Sequence, residues 1–484
     1  MTDDLCFADA TEVAAAVRDR TVSSVELLDG LLSRVDQYNP GLNAVVTLDA
    51  ERARTRAAEA DAATARGESW GPLHGVPMTI KDVWETAGLR TTSGAPELAD
   101  HIPDTDAAGV ARLKAAGAIV FGKTNTPIYA GDDQTFNDVF GITNNPWDVT
   151  RTPGGSSGGA AAALSAGLTP LEFGSDIGGS IRMPSHMCGT FGLKPSWGVV
   201  PSRGHIPGPP GSLLETDVNA GGPMARSVRD LELALGVLAG PLPELGSAWR
   251  LELPPGPSGL GPADLRIAVV ADDATFPVSS QVRDVVRGLA DRLADAGALV
   301  EDRPFPVALD EMFASWQDLV LPIIGAGLPP EAYAEFAGLA TLMTGDDVGS
   351  RSVRSLVLSH RDQLAADQLR QQQRRRWADE FTTVDVVLAP ALQVPAFPHD
   401  TLQPLPMRSL DIDGTTISHL DLSVWCGAIG AMLLPVAAVP AGRTPSGLPV
   451  GVQVIGPYLG DRATLAAADA ISRVAGGFTP PPGY

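Results

Sequence analysis

Apolar and polar residues alternate with a helical period over the first part of the chain. Apolar side chains recur at positions 13 and 17, and again at 27, 28, 31, 32 and 35, with charged residues between them. Spacings of three and four place such residues on one face of a helix. The TVSS run at 21–24 offers hydroxyls that can cap a helix start. We therefore predict a helical N-terminal layer over residues 1–65.

A different pattern begins near residue 75, where short apolar runs replace the helical period. Apolar runs at 76–80 and 118–121 flank a helical stretch at 107–116, which ends at Gly117. Strand, helix and strand in this order predict an α/β unit whose sheet is buried.

The second half of the chain again mixes strand and helix patterns. The segment at 251–262 is rich in Pro and Gly and has no period, which predicts an exposed connection and a boundary. The elements predicted after it are a strand at 266–270, an amphipathic helix at 282–293, a long polar helix at 352–381, a buried strand at 384–389, strands within 434–456 and a helix from Asp461.

Charge narrows the classes of partner. The 484 residues include 57 acids and 35 bases, a net charge of −22. This charge repels nucleic acid and anionic lipid, so we expect neither as a partner.

No signal-like segment opens the chain and no stretch reaches the ~20 apolar residues of a membrane span, so we predict a cytoplasmic protein. Cys6, Cys188 and Cys426 are too few and too widely spaced for a disulfide framework, and we interpret them as reduced thiols.

Two glycine-rich segments carry candidate chemistry. TPGGSSGG at 152–159 offers backbone N–H groups and two hydroxyls to one ligand. A phosphate cradle is one interpretation, but the turn lacks the Gly-Lys-Ser/Thr ending of a P-loop. GSDIGGSIRMP at 174–184 places Ser180 directly after two glycines, so consecutive N–H groups stand beside a hydroxyl. Acyl transfer needs such donors, because negative charge develops on the carbonyl oxygen during attack. Ser180 is therefore a candidate nucleophile.

A lysine supplies a candidate base. GVPMTIKD at 75–82 puts Lys81 at the end of an apolar strand, where desolvation would lower the pKa of its ammonium group. A neutral lysine can replace histidine as proton acceptor. The seven histidines show no metal-ligand spacing, and we expect neither a metal nor a cofactor.

Together these three segments resemble the amidase signature family. Its members carry the same lysine, Gly-Gly-Ser-Ser-Gly-Gly and Asp-x-Gly-Gly-Ser-Ile-Arg segments at matched offsets, here 75 residues from Lys81 to Ser156 and 24 from Ser156 to Ser180. The resemblance covers residues 65–235, resumes at 447–453, and fades between 240 and 430.

The resemblance implies the α/β amidase signature fold, a central mixed β-sheet covered by helices on both faces. It divides the chain into the helical layer at 1–65, the amidase signature core at 66–240, a variable, mostly helical substrate-pocket region at 241–430, and a C-terminal return to the core at 431–484.

The resemblance also implies roles for individual residues. Ser180 is expected to be the acylated nucleophile, Ser156 a bridging serine after a cis peptide bond, and Lys81 the terminal base. The expected oxyanion hole consists of the backbone N–H groups of Ile177, Gly178, Gly179 and Ser180. The remaining residues are supporting: Asp176 and Arg182 are expected to brace the loop, and Ser157 and Ser175 to hydrogen-bond the lysine or the loop.

Two functions follow from the family. The first is hydrolysis of neutral hydrophobic small molecules (anilides, and also carbamates, urethanes and esters) by a monomer or homodimer, as in aryl acylamidases, nylon-oligomer hydrolases and urethanases. The second is that of the amidase component of a tRNA-dependent glutamine amidotransferase. Members of that group usually carry Thr and Gln where this chain has Ile177 and Met183, and two apolar residues fit a hydrophobic substrate better. A third possibility, a non-catalytic binding module, would require that Lys81, Ser156 or Ser180 be missing. All three are present.

The substrate pocket is predicted to come from the region where the resemblance fades. Segments 319–342 and 410–433 are apolar, with Trp316, Phe336 and Trp425 in or near them, and carry no basic cluster to hold a carboxylate. These features leave the particular substrate open.

Overall fold

The computed structural model describes residues 5–206 and 208–484, which form one α/β architecture. Its helices are α1 (Ala10–Arg18), α2 (Ser24–Leu42), α3 (Ala50–Ala65), α4 (Ala108–Ala115), α5 (Gly158–Ser165), α6 (Arg182–Cys188), α7 (Val228–Leu238), α8 (Ser280–Asp295), α9 (Leu309–Ala326), α10 (Pro330–Ala340), α11 (Val348–Leu356), α12 (His360–Glu380), α13 (Val424–Ala431) and α14 (Asp461–Ala475).

Its strands are β1 (Val45–Leu48), β2 (Pro77–Lys81), β3 (Ile119–Thr124), β4 (Phe136–Asn137), β5 (Gly141–Ile142), β6 (Glu172–Asp176), β7 (Phe191–Lys194), β8 (Ala220–Ala225), β9 (Arg266–Val269), β10 (Leu299–Asp302), β11 (Val386–Pro390), β12 (Ser409–Ile412), β13 (Thr415–Ser418), β14 (Val436–Arg443) and β15 (Pro449–Ile455).

Eleven of these strands form one mixed sheet. Its order is β1-β3-β2-β6-β8-β7-β14-β15-β11-β9-β10. Strands β3, β2 and β6 run parallel at one end, and β11, β9 and β10 at the other, while the centre is antiparallel. The strands that follow the irregular segment at 251–262 join this same sheet through β11 and β15.

Helices cover both faces of the sheet. Neighbouring strand residues point to opposite faces, and on β8 Met224 packs with Ala160, Leu164 and Ile181 of the α5–α6 side. The next residue, Ala225, belongs to the large core that includes α7. The predicted fold class is thus confirmed. No helix among residues 5–206 and 208–484 has the length and apolarity needed to cross a bilayer.

Two sequence predictions need correction. The N-terminal layer is not purely helical, because the β-branched run at 45–47 forms β1, which pairs antiparallel with β3 at the edge of the sheet. The polar stretch at 352–381 is two helices rather than one. The hydroxyl of Ser359 accepts from the Asp362 amide at 3.2 Å and so caps the start of α12.

Candidate active site

Lys81 ends β2 in the interior of the protein. Strand β2 runs parallel to β6, with Thr79 opposite Glu172 and Ile80 opposite Phe173. Because parallel strands end at the same edge of a sheet, the Lys81 side chain lies beside the end of β6. Its Nζ donates to Ser156 Oγ at 2.7 Å and to Ser175 Oγ at 3.1 Å.

Burial controls the charge of this lysine. The side chain is fully buried, and burial lowers the pKa of Lys81 to about 7, although the carboxylates of Asp176 and Glu172 act to raise it. A large fraction of Lys81 is therefore a neutral amine near pH 7. An amine in this form, 2.7 Å from a hydroxyl, can accept its proton. The lowered pKa predicted for a lysine at this strand end is confirmed.

Ser156 lies in a tight turn before α5. The Gly155–Ser156 peptide bond is cis. A Cβ on Gly155 would overlap the backbone of residues 132–134, so only glycine fits there. Thr135 Oγ1 donates to the Gly154 carbonyl at 2.8 Å and fixes the other side of the turn. These contacts hold the Ser156 hydroxyl against Lys81.

Ser180 follows β6 across the segment 177–180. Its backbone carbonyl accepts from the Ser157 amide at 3.1 Å, which joins this segment to the turn that carries Ser156. Gly179 has a φ of 123°, a conformation that favours glycine. Within the described residues, the amides of Ile177, Gly178 and Ser180 make no hydrogen bond to a protein acceptor, whereas the Gly179 amide donates to Asp176 Oδ1 at 2.9 Å.

A buried ion pair between Asp176 and Arg182 supports the segment 177–180. Arg182 donates from Nε and Nη2 to the Asp176 carboxylate at 2.9 and 2.8 Å, and both side chains are fully buried. Burial acts to raise the pKa of Asp176, but the charge and hydrogen bonds of Arg182, the charge of Lys194 and the Ile181 amide together outweigh it, and the pKa lies below its usual value. Asp176 also accepts from the Ile181 amide at 3.1 Å. Arg182 Nη1 reaches the Cys426 carbonyl and Gln453 Oε1, at 2.9 and 2.7 Å.

The structure therefore brings the motif residues together, although they come from three separate segments. Ser175 contacts the lysine, and the Ser157 hydroxyl donates to the Ser175 carbonyl at 3.3 Å. Cys188 and Cys426 are buried and donate to backbone carbonyls, at 3.5 and 3.0 Å, as expected of inert thiols.

Sequence reasoning missed two neighbours of the site, Glu172 and His205, and the contact made by a third, Trp316. Burial raises the pKa of Glu172 to about 7, and burial, together with the charge of Lys81, lowers that of His205 to about 3. Trp316, predicted only as a pocket aromatic, donates from Nε1 to the Ile177 carbonyl at 2.8 Å. Of the other two aromatics, Trp425 is fully buried in the core and Phe336 lies half-buried on α10. The one available signal was a Glu between two apolar residues at the start of a strand, for Glu172.

Comparison with known proteins shows which family the chain resembles. The family model described as Amidase matches residues 26–465. The chain is 35% identical to a glutamyl-tRNA(Gln) amidotransferase subunit of Roseiflexus sp. (strain RS-1), over 97% of this chain and 96% of the relative. It is 34% identical to Indoleacetamide hydrolase of Bradyrhizobium diazoefficiens, over 96% of this chain and 86% of the relative.

A solved structure extends the comparison. A bacterial aryl acylamidase of the amidase signature family superposes with a TM-score of 0.78 at 27% identity, covering 97% of this chain and 96% of that one. The motifs, the mixed sheet and the match over most of the length agree, and the chain belongs to the amidase signature family of hydrolases.

Proposed function

We propose that the chain is a serine amidase that cleaves the C–N bond of neutral hydrophobic amides through an acyl-enzyme. The observation that carries this proposal is the contact between a buried, partly neutral Lys81 and Ser156 Oγ at 2.7 Å. The hydrogen bond from the Ser157 amide to the Ser180 carbonyl supports it, because it joins the segment of the proposed nucleophile to the same turn.

The proposed reaction starts with a proton relay. Lys81 takes the proton of Ser156 while Ser156 takes that of Ser180, and Ser180 Oγ bonds to the substrate carbonyl carbon. The C–N bond then breaks, and the same relay returns a proton to the leaving nitrogen. Water attacks the acyl-enzyme by the same route, releasing the acid and restoring Ser180.

The oxyanion needs donors with no protein partner. The amides of Ile177, Gly178 and Ser180 fit this requirement, because they make no hydrogen bond within the described residues. The Gly179 amide, the fourth expected donor, is bonded to Asp176 Oδ1. The proposal therefore assigns oxyanion stabilisation to three amides and loop support to Gly179.

The apolar surroundings of the 177–180 segment support a hydrophobic substrate. Ile177 packs with Val218, Val320 and Leu433, and Met183 belongs to the apolar cluster beneath the β12–β13 hairpin. The names of the indoleacetamide hydrolase and aryl acylamidase relatives fit amides that carry an aromatic ring. Carbamates, urethanes and esters are included because an acyl-enzyme route accepts other leaving groups.

The alternative is the glutaminase component of a tRNA-dependent amidotransferase. It is supported by the 35% identity to the Roseiflexus glutamyl-tRNA(Gln) amidotransferase protein over nearly the whole of both chains. The two functions differ in substrate polarity and in the need for a partner, so they can be separated by assay.

A substrate panel tests the proposal. Purified protein is assayed alone on a p-nitroanilide, an aryl carbamate, an aryl ester and glutamine. We expect kcat/KM for the anilide to exceed that for glutamine by at least about 100-fold, the scale on which a site separates polar from apolar side chains. Greater efficiency on glutamine, or activity only in complex with a partner protein, would favour the alternative.

The nucleophile is tested in the same assays. Ser180→Ala should abolish turnover of every substrate, and a sulfonyl fluoride should label Ser180 in the wild type. Ser165→Ala is the matched control, because Ser165 is also buried but its hydroxyl donates to the Cys188 carbonyl. A label on another serine, or full activity in Ser180→Ala, would contradict the mechanism.

A further inference from the structure

A tryptophan from the variable region contacts the segment that carries the proposed oxyanion donors. Trp316 lies on α9 and is 139 residues from Ile177 in the sequence. Its Nε1 donates to the Ile177 carbonyl at 2.8 Å. Its ring also covers the next residue, because a Cβ on Gly178 would lie 3.0 Å from Trp316 Cζ2.

The indole is itself held in place. It stacks on Phe313 of the same helix, with ring centroids 5.2 Å apart and an interplanar angle of 7°. Gly427 of α13 faces both rings, and a Cβ there would lie 3.1 Å from Phe313 and 3.2 Å from Trp316. Two helices of the variable region thus fix the direction of the indole N–H.

Peptide geometry links this hydrogen bond to the oxyanion site. The Ile177 carbonyl and the Gly178 N–H belong to one planar trans peptide unit, so they point in opposite directions. A donor that holds the carbonyl therefore also fixes the direction of the amide. Within the described residues, Trp316 provides the sole hydrogen bond to either group of this peptide.

The rest of the segment is tethered on its other side. The Asp176 carboxylate accepts from the Gly179 and Ile181 amides, at 2.9 and 3.1 Å. The Ile177–Gly178 peptide makes no hydrogen bond to the Asp176 carboxylate. It precedes two glycines, whose backbone dihedral angles are less restricted than those of other residues. Without the indole, rotation of this peptide would turn the Gly178 N–H away from the substrate.

We propose that Trp316 is a positioning residue for catalysis: its indole N–H, by holding the Ile177 carbonyl, aims the Gly178 amide at the developing oxyanion. The inference rests on the proposed function, since it needs Ser180 to form a tetrahedral intermediate near this amide. It explains why a residue outside the family motifs contacts a peptide of the segment that Asp176 does not hold.

Removal of the N–H with the ring retained tests the inference. Trp316→Phe should lower kcat for an anilide by about 10- to 100-fold, less than the ~10²- to 10³-fold cost of removing an oxyanion donor, because the amide is misdirected rather than removed, with KM changed less than threefold. A trifluoromethyl ketone, which forms a tetrahedral adduct with the serine, should bind more weakly by the same factor. A ground-state substrate should bind Trp316→Phe/Ser180→Ala as well as it binds Ser180→Ala.

Trp197→Phe is the matched control. Trp197 is in the same apolar cluster and its indole donates to the Thr216 carbonyl at 3.2 Å, away from the segment 177–180. Both kcat and ketone affinity should stay within threefold of the wild type. If Trp316→Phe does not fold, benzothienylalanine at position 316 keeps the bicyclic shape, lacks the N–H, and should give the same kinetic loss.

The measurements distinguish failure of the Trp316 inference from failure of the proposed function. If Ser180→Ala is inactive but the Trp316 variants keep wild-type kcat, the inference is wrong and the proposed function stands. Equal loss of substrate and ketone affinity would make Trp316 a pocket wall and would also overturn it. If Ser180→Ala remains active, the proposed function itself fails.

Discussion

Lys81 and Lys194 are two buried lysines on the same sheet, and they differ in what their amines contact. Each is the last residue of its strand, β2 or β7, and each is fully buried. Burial lowers the pKa of both to about 7. For Lys194 the nearby Arg182 charge lowers it further, while Asp176 and Asp461 act to raise it.

The acceptors of their hydrogen bonds differ in kind. Lys81 Nζ donates to two serine hydroxyls, each of which has a proton of its own to give. Lys194 Nζ donates to the Pro195 carbonyl at 2.9 Å, which has none. A lowered pKa makes an amine available as a base, but only a hydroxyl partner gives it a proton to accept. We therefore expect catalysis to depend on Lys81 and not on Lys194.

Replacing each lysine by an apolar residue of similar length should give the largest difference. Lys81→Met removes the proposed base, and we expect kcat/KM for the preferred anilide to fall by about 10³-fold or more. Lys194→Met removes no reacting group, and the loss should stay below about tenfold. Steady-state kinetics on both variants, with circular dichroism as a check of folding, measures this. Equal losses in two folded variants would break the distinction.

The pH profile should show a smaller but diagnostic effect. The neutral amine of Lys81 increases as pH rises through its pKa of about 7, so kcat/KM should rise about tenfold per pH unit below that value and level off above it. Lys194→Met should keep this midpoint. An activity that falls between pH 6 and 8 would exclude a neutral lysine base.

Glu172→Gln tests which group the profile reports, because burial also raises the pKa of Glu172 to about 7. The charge of Glu172 acts to raise the pKa of Lys81. If Lys81 titrates, its midpoint should therefore move to lower pH in the variant; if Glu172 titrates, the rise should disappear.

The smallest expected effect is on stability. The pKa of Lys194 is about 7 in the folded protein and near 10.5 when unfolded, so between these values the unfolded state binds more protons and stability rises with pH. This group contributes at most about 1.4 kcal/mol per pH unit. Urea unfolding of wild type and Lys194→Met from pH 7.5 to 9.5 should show the steeper rise in the wild type. Parallel curves would mean that Lys194 keeps its charge when buried.

Much of the fold was accessible from local patterns. The β2–α4–β3 unit, the strand at β11 and the paired strands β14 and β15 all lie where hydrophobic period and glycine positions predicted them. Strand β1 and the break between α11 and α12 were missed for different reasons. Four residues carry too short a pattern to separate from a helical context. Ser359 follows an apolar run at 356–358 that is compatible with a continuing helix, and its hydroxyl caps α12 only because the chain turns there.

By itself, the sequence determined the local chemistry: glycines where the backbone must pass closely, serines in the turns between them, and a lysine at the end of an apolar strand. The same rule fits Lys194 as well as Lys81, because a strand-end lysine becomes buried and its pKa falls to about 7 in either place. Only the tertiary structure decided between them, since the parallel pairing of β2 with β6 brings the Ser175 hydroxyl, and the turn before α5 brings the Ser156 hydroxyl, to one amine and not to the other. Trp316 likewise meets Ile177 only through the packing of α9, and no local pattern encodes a contact between residues so far apart in the chain.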